Sequence, residues 1–116
     1  MSEHRIEKVN KEVKQLVSSY IIQNLSSNFS VIISVNNVIV SRDLRGAKIF
    51  VSFLNKDLNL KNKEEQDYVA QIQKHASDIQ FYISKRLRMK FNPKLTFFLD
   101  DSIQEQISVQ SLLDSL

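Results

Sequence analysis

The chain has a single proline in 116 residues, and Pro93 divides its last third into two kinds of structure. Proline cannot continue a helix, and it drives the residue before it into extended backbone. Upstream, Tyr68, Ile72, Ala76, Ile79, Ile83 and Leu87 form an apolar stripe in steps of three and four, the spacing of a helix face. Downstream, Leu95, Phe97 and Leu99 share one face of a strand predicted over 94–99. Asn92-Pro93 is therefore read as a corner between a helix and a strand. Taken from Asn62 to this corner, the stripe would give a helix of about 30 residues, long against a mean of about 11–12. Ser77 and Asp78 are poor interior residues and good caps. The run is accordingly divided into two helices near residues 75–78, although periodicity alone permits one.

The earlier chain supplies the partners. Ile6, Val9, Val13, Leu16, Val17, Tyr20 and Ile21 predict an amphipathic helix over 3–25. The polar break at 25–28 leads into the β-branched run 31–40, a strand that is apolar on both faces at its start. Residues 41–46 form a turn. It holds the chain's one glycine, Gly46, expected to supply a backbone angle or a clearance that other residues cannot. In the following strand, Ala47, Ile49, Val51 and Phe53 face one way, and the short connection implies an antiparallel hairpin. The order is helix, strand, strand, helix, helix, strand: one α+β domain over 1–116 with a three-stranded sheet. Residues 102–116 are expected to be a short tail, helical or disordered; Ser102 and Glu105 have the spacing of a capping box.

Inventory narrows the function. No apolar run approaches the roughly 20 residues of a membrane span, and the polar start predicts no export signal. The absence of cysteine excludes thiolate metal sites and disulfides. These readings together predict a cytoplasmic protein. One glycine excludes a phosphate-binding glycine loop and a dinucleotide fingerprint. The two histidines, His4 and His75, lie in no metal-binding pattern, and Asp100-Asp101 would point to opposite sides of a strand end. No catalytic residue, metal, cofactor or small-molecule substrate is expected.

Charge distribution is more informative than the net +3. Residues 72–98 hold six Lys/Arg against Asp78 alone, whereas 99–116 hold four acids and no base. Such a segment suits a polyanion, but cations at a helix C-terminus also favour the helix dipole without any partner. The candidate phosphate contacts are Lys85, Arg86, Arg88, Lys90 and Lys94, then Arg42, Arg45 and Lys48 around the hairpin turn, and Lys74.

The chain resembles the ribosome-binding factor A family, bacterial factors of small-subunit maturation. The likeness runs along nearly the whole sequence. It is carried by Arg5-Ile6-Glu7-Lys8-Val9-Asn10, by Ser41-Arg42-Asp43-Leu44 followed by Ala47-Lys48-Ile49-Phe50-Val51-Ser52, and by the stretch from Lys85 through Pro93 to Phe97. Asp100-Asp101-Ser102-Ile103 and Leu112-Leu113 are similar to the family's ending. The resemblance implies a type II KH-like domain with a kink between its two central helices. It also implies binding to the immature small ribosomal subunit and its rRNA, assisting late folding and processing, by a protein that is monomeric when unbound. The family's Ala-x-Gly kink corresponds to His75, Ala76 and Ser77, with serine in place of glycine and able to cap the second helix. Lys94 stands where the family usually carries glutamate. The alternative expectation is a protein-interaction adaptor that kept the fold without the RNA role.

Overall fold

The computed structural model describes residues 3–54, 62–88 and 93–100, with side chains for 5–54, 64–88 and 93–100. Helix α1 spans Glu3–Tyr20, strand β1 Ile32–Val40, β2 Gly46–Leu54, α2 Asn62–Gln73, α3 Ala76–Leu87 and β3 Lys94–Leu99. β2 is the central strand, antiparallel to β1 and parallel to β3. The order and the three-stranded sheet are those expected. Lys90 and the tail 102–116 lie outside the described residues, as do Asn92 and Asp101.

All three helices pack on one face of the sheet: α1 against β1, α2 against β3, and α3 between α1 and β3. Val13, Val17 and Ile21 meet Val35, Val38, Ile49 and Val51 from the strands, while Ile72, Ile79 and Ile83 close over Leu95 and Phe97. Each fully buried side chain of this size contributes about 1.5–3 kcal/mol, so this layer dominates stability.

Four local details depart from the expectations. Helix α1 does not run to residue 25 as regular α-helix. Ile21–Leu25 form a widened π turn in which the Ser26 amide and hydroxyl both donate to the Ile21 carbonyl, the hydroxyl at 3.1 Å. Ile21 and Leu25, four residues apart, are both buried at this turn. Gly46 supplies neither an unusual angle nor a clearance. Its φ is not positive, and an added Cβ would meet the Lys94 carbonyl oxygen at 3.8 Å, an ordinary contact. The left-handed position of the turn is Leu44, at φ 61°, whose side chain packs on the core. Burial there compensates a conformation costing a non-glycine residue about 1–2 kcal/mol. Finally, Ser77 does not cap α3. The N-cap is His75, with no side-chain cap bond, and Ser77 and Asp78 lie in the first turn.

The break between α2 and α3 is nonetheless where the sequence puts it. The His75 amide donates to the Ile72 carbonyl at 2.9 Å, tightening the last turn, and α3 restarts as Ile79 donates to His75 at 3.0 Å. His75 has φ −95° and ψ 6°, open to any L-residue. The break therefore needs no glycine, and serine at 77 is compatible with it.

Candidate functional site

The hairpin turn is built by short polar side chains. The Ser41 hydroxyl donates to the Asp43 carboxylate at 2.6 Å, the Arg45 amide donates to the same oxygen at 3.1 Å, and the Gly46 amide donates to the Ser41 hydroxyl at 3.1 Å. The Ser41 bond first, and then that from the Arg45 amide, hold the Asp43 carboxyl below the usual carboxylate range. The turn places Arg45 at the end of the sheet, and the Lys94 amide donates to its carbonyl at 2.8 Å. Pairing of Gly46 with Lys94 and of Lys48 with Thr96 then sets both lysines on the face away from the helices. Arg45, Lys48 and Lys94 line one depression of about 660 Å³ there.

The α3 cations occupy the other layer. Lys85 and Arg86 line a separate depression with Tyr20, Asp78, Phe81 and Tyr82. The Arg86 guanidinium lies 3.5 Å from the centre of the Tyr82 ring, which meets Tyr20 edge-on at 5.3 Å. Stacking of this kind fixes the guanidinium plane, and its Nη1 donates to the Tyr82 carbonyl at 3.4 Å. Burial, with Asp78 nearby, raises the Tyr20 hydroxyl above its ordinary value. Arg88 ends α3 in the left-handed conformation, at φ 51°, and is exposed. Lys74 is exposed in the turn after α2, and Arg42 is exposed beside the hairpin turn. The eight candidate cations among the described residues thus do not share one cleft. Arg45, Lys48 and Lys94 gather on the outer sheet face, and Lys85 and Arg86 on the helical layer.

Two positioning residues escaped the sequence reading. Gln73 donates to the Leu95 carbonyl at 3.0 Å and accepts from the Phe97 amide at 2.8 Å, while Gln80 accepts from the Leu95 amide at 3.2 Å. Both fasten β3, and hence Lys94, to the helix pair. The available signal was their seven-residue spacing beside the apolar stripe, which keeps them on one helical side. Asn36 was also missed. It is the extra residue of a β-bulge between Val35 and Asn37, and its side chain bonds Ser34 and Ser52 and donates to the Asp100 carboxylate at 2.8 Å. That one amide ties β1 to β2 and to the end of β3.

Among the described residues, no three His, Asp or Glu side chains converge as a metal site would require, and no helix is long and apolar enough to cross a membrane.

The family model described as ribosome-binding factor A matches residues 5–113. This chain belongs to the ribosome-binding factor A family. Among curated relatives, ribosome-binding factor A of Bdellovibrio bacteriovorus is 31% identical, covering 97% of this chain and 80% of its own length. That of Caldicellulosiruptor bescii is 33% identical over 100% of this chain and 86% of its own. In fold, the chain is similar to the crystal structure of ribosome-binding factor A from Thermus thermophilus, with a TM-score of 0.63 at 14% identity over 81% of this chain and 94% of that one. A Thermotoga maritima protein described as a putative ribosome binding factor A gives 0.67 at 22% identity, covering 84% and 89%. A Thermus thermophilus homology model fitted into a cryo-EM map of a 30S–RbfA complex gives 0.61 at 15% identity, covering 79% and 91%. The expected ribosome-binding factor A fold is therefore the one observed.

Proposed function

We propose that this chain binds the immature small ribosomal subunit through rRNA phosphate and shape contacts, and assists late maturation and processing of small-subunit rRNA. The observation that carries this reading is family membership along 5–113, in a family with a structural relative fitted into a 30S complex. The exposed cations Lys85, Arg86 and Arg88 on α3 give it a physical basis, because folded rRNA is recognised mainly through phosphates and shape. Lys90 and Lys94 complete the primary contacts, Lys94 from the outer sheet face, and Arg42, Arg45, Lys48 and Lys74 form the secondary ones. The break at His75, Ala76 and Ser77 sets the angle at which α3 meets the RNA. The action is stoichiometric and cytoplasmic: a monomer that prefers one rRNA arrangement shifts the particle toward it by differential affinity.

The test uses Lys85→Glu, Arg88→Gly and Lys90→Glu together. Arg86 is kept so that its stack on Tyr82 survives, and glycine suits the left-handed end of α3. Co-sedimentation with immature small subunits should weaken at least tenfold at unchanged thermal stability. The slope of log affinity against log salt should fall by about 0.7–0.9 for each phosphate no longer neutralised. Unaltered co-sedimentation overturns the proposal, and salt-insensitive binding points to the adaptor reading.

A further inference from the structure

Two cross-strand rows make up the middle of the outer sheet face, away from the three helices. In one, Asn37, Phe50 and Phe98 stand side by side on β1, β2 and β3; in the next, Ile39, Lys48 and Thr96 do. The rows are two residues apart along each strand, about 6.7 Å. One further step along β3, Lys94 pairs with Gly46, which has no side chain to stand beside the lysine stem. Phe50 and Phe98 stack at 5.5 Å with their ring planes 25° apart. Phe98 lies on the border strand and is 38% exposed, whereas Phe50, in the central strand, is half-buried. Phe50 thus braces one side of the Phe98 ring, and among the described residues no strand flanks β3 on the other. Lys48 stands one row from Phe50, and Lys94 two rows from Phe98. An unpaired nucleotide is recognised by this combination, a ring face for its base and nearby positive charge for its phosphate.

We propose that this face binds a single-stranded RNA segment, with one base extending the Phe98–Phe50 stack and the adjoining phosphates meeting Lys48 and Lys94. The proposal deepens the rRNA reading above and rests on it for the source of the RNA. Charge favours an anion here. Lys48 and Lys94 are exposed, and the acids at the two ends of the face are already engaged. The Asp43 carboxylate accepts from the Ser41 hydroxyl and the Arg45 amide, and the Asp100 carboxylate accepts from Asn36. The surface is mixed in character, because Ser34, Asn36 and Ser52 bond to one another and interrupt its apolar residues. A protein partner held by apolar packing needs a continuous patch. A nucleotide needs one ring and polar groups around it. Bases inside a duplex already stack on each other, so the site selects unpaired RNA.

The test titrates the full-length protein with a single-stranded oligoadenylate of about eight nucleotides, a length usual for such grooves. Amide resonances of Lys48, Phe50, Thr96 and Phe98 should shift, and the same RNA annealed to its complement should shift them far less. Phe98→Leu keeps an apolar side chain but removes the ring, and should weaken binding about 5- to 140-fold, the worth of one stacked base. Phe98→Trp should restore the affinity. Lys48→Gln with Lys94→Gln should lower the slope of log affinity against log salt by about 0.7 for each phosphate no longer neutralised, a slope that Phe98→Leu leaves unchanged. The shifts in the native chain need no variant, so a folding defect in any of these proteins does not decide the outcome. Shifts confined to α3, equal shifts with the duplex, or undiminished affinity in Phe98→Leu overturn the proposal. Shifts produced by RNA-stripped subunit proteins in place of the oligonucleotide would overturn it in favour of a protein partner. No oligonucleotide binding in a chain that still co-sediments with immature small subunits overturns this proposal and leaves the subunit reading standing. Oligonucleotide binding at these amides without co-sedimentation upholds the stacking site and sinks the subunit reading.

Discussion

The two faces of this sheet are made from the same strands and similar residues, yet they have different fates. On the inner face, Val35, Val38, Ile49, Val51, Leu95 and Phe97 are buried beneath three helices. On the outer face, Ile39 and Phe98 remain exposed beside Lys48 and Lys94. The bulge at Asn36 makes the division possible. Val35 and Val38 are three apart, so regular alternation would set them on opposite faces; the extra residue turns both inward. Branched apolar residues alone do not decide which face becomes core. The helices decide it, and the uncovered face keeps its cations.

The sharpest way to break this contrast is to truncate one side chain on each face. Ile49→Ala should cost about 2–5 kcal/mol, because a cavity remains under the helices, whereas exposed Ile39→Ala should cost under about 1 kcal/mol. Comparable losses in denaturant titration would mean that the outer face is as well packed as the inner. A smaller effect concerns the fastening of β3. Gln73→Ala leaves the Leu95 carbonyl and the Phe97 amide without that partner and should cost about 1–3 kcal/mol. Hydrogen exchange should show Phe97 losing protection while Ile49 in the central strand keeps it.

The smallest effects are electrostatic and have opposite signs on the two sides. Burial pushes the Glu65 carboxyl up, so the folded state holds its proton more tightly than the unfolded chain does. The penalty for ionising it is present at neutral pH and is relieved as pH falls to the ordinary glutamate range. Glu65→Gln should therefore raise Tm at pH 7, with the difference closing at lower pH. Asp43 behaves inversely. Its depressed carboxyl contributes stability above the ordinary aspartate range and loses it as pH falls through the folded value. Asp43→Asn should lower Tm slightly at pH 7, with the difference disappearing in stronger acid. Melting curves recorded across pH 3–7 check both.

The sequence made strands β2 and β3 legible because their alternation is unbroken, and it located the α2–α3 break because Ser77 and Asp78 disfavour a helix interior. It did not reveal what depends on distant partners. The π turn at Ile21–Leu25 has no signal in the apolar spacing, because residues four apart share a face of a regular α-helix too, and the Gln73 and Gln80 bonds exist because β3 arrives beside the helices. Gly46 misled because a lone glycine suggests special backbone, while the strained position went to Leu44, whose side chain could be buried. The cations were legible as a sequence cluster, but the Pro93 corner sends Lys94 to one layer and leaves Lys85 and Arg86 on the other.

The glutamine bonds along β3 bear on how copies of this protein meet. A sheet margin with unsatisfied amides and carbonyls invites a neighbouring molecule to add a strand, the first step toward aggregation. Here Gln73 and Gln80 already occupy that margin on one side. On the other, Asn10 accepts from the Val40 amide at 2.8 Å and the bulge interrupts β1. Each border therefore offers a neighbouring strand fewer open backbone groups than a bare margin would, which lowers the hazard of leaving an apolar face uncovered by helices.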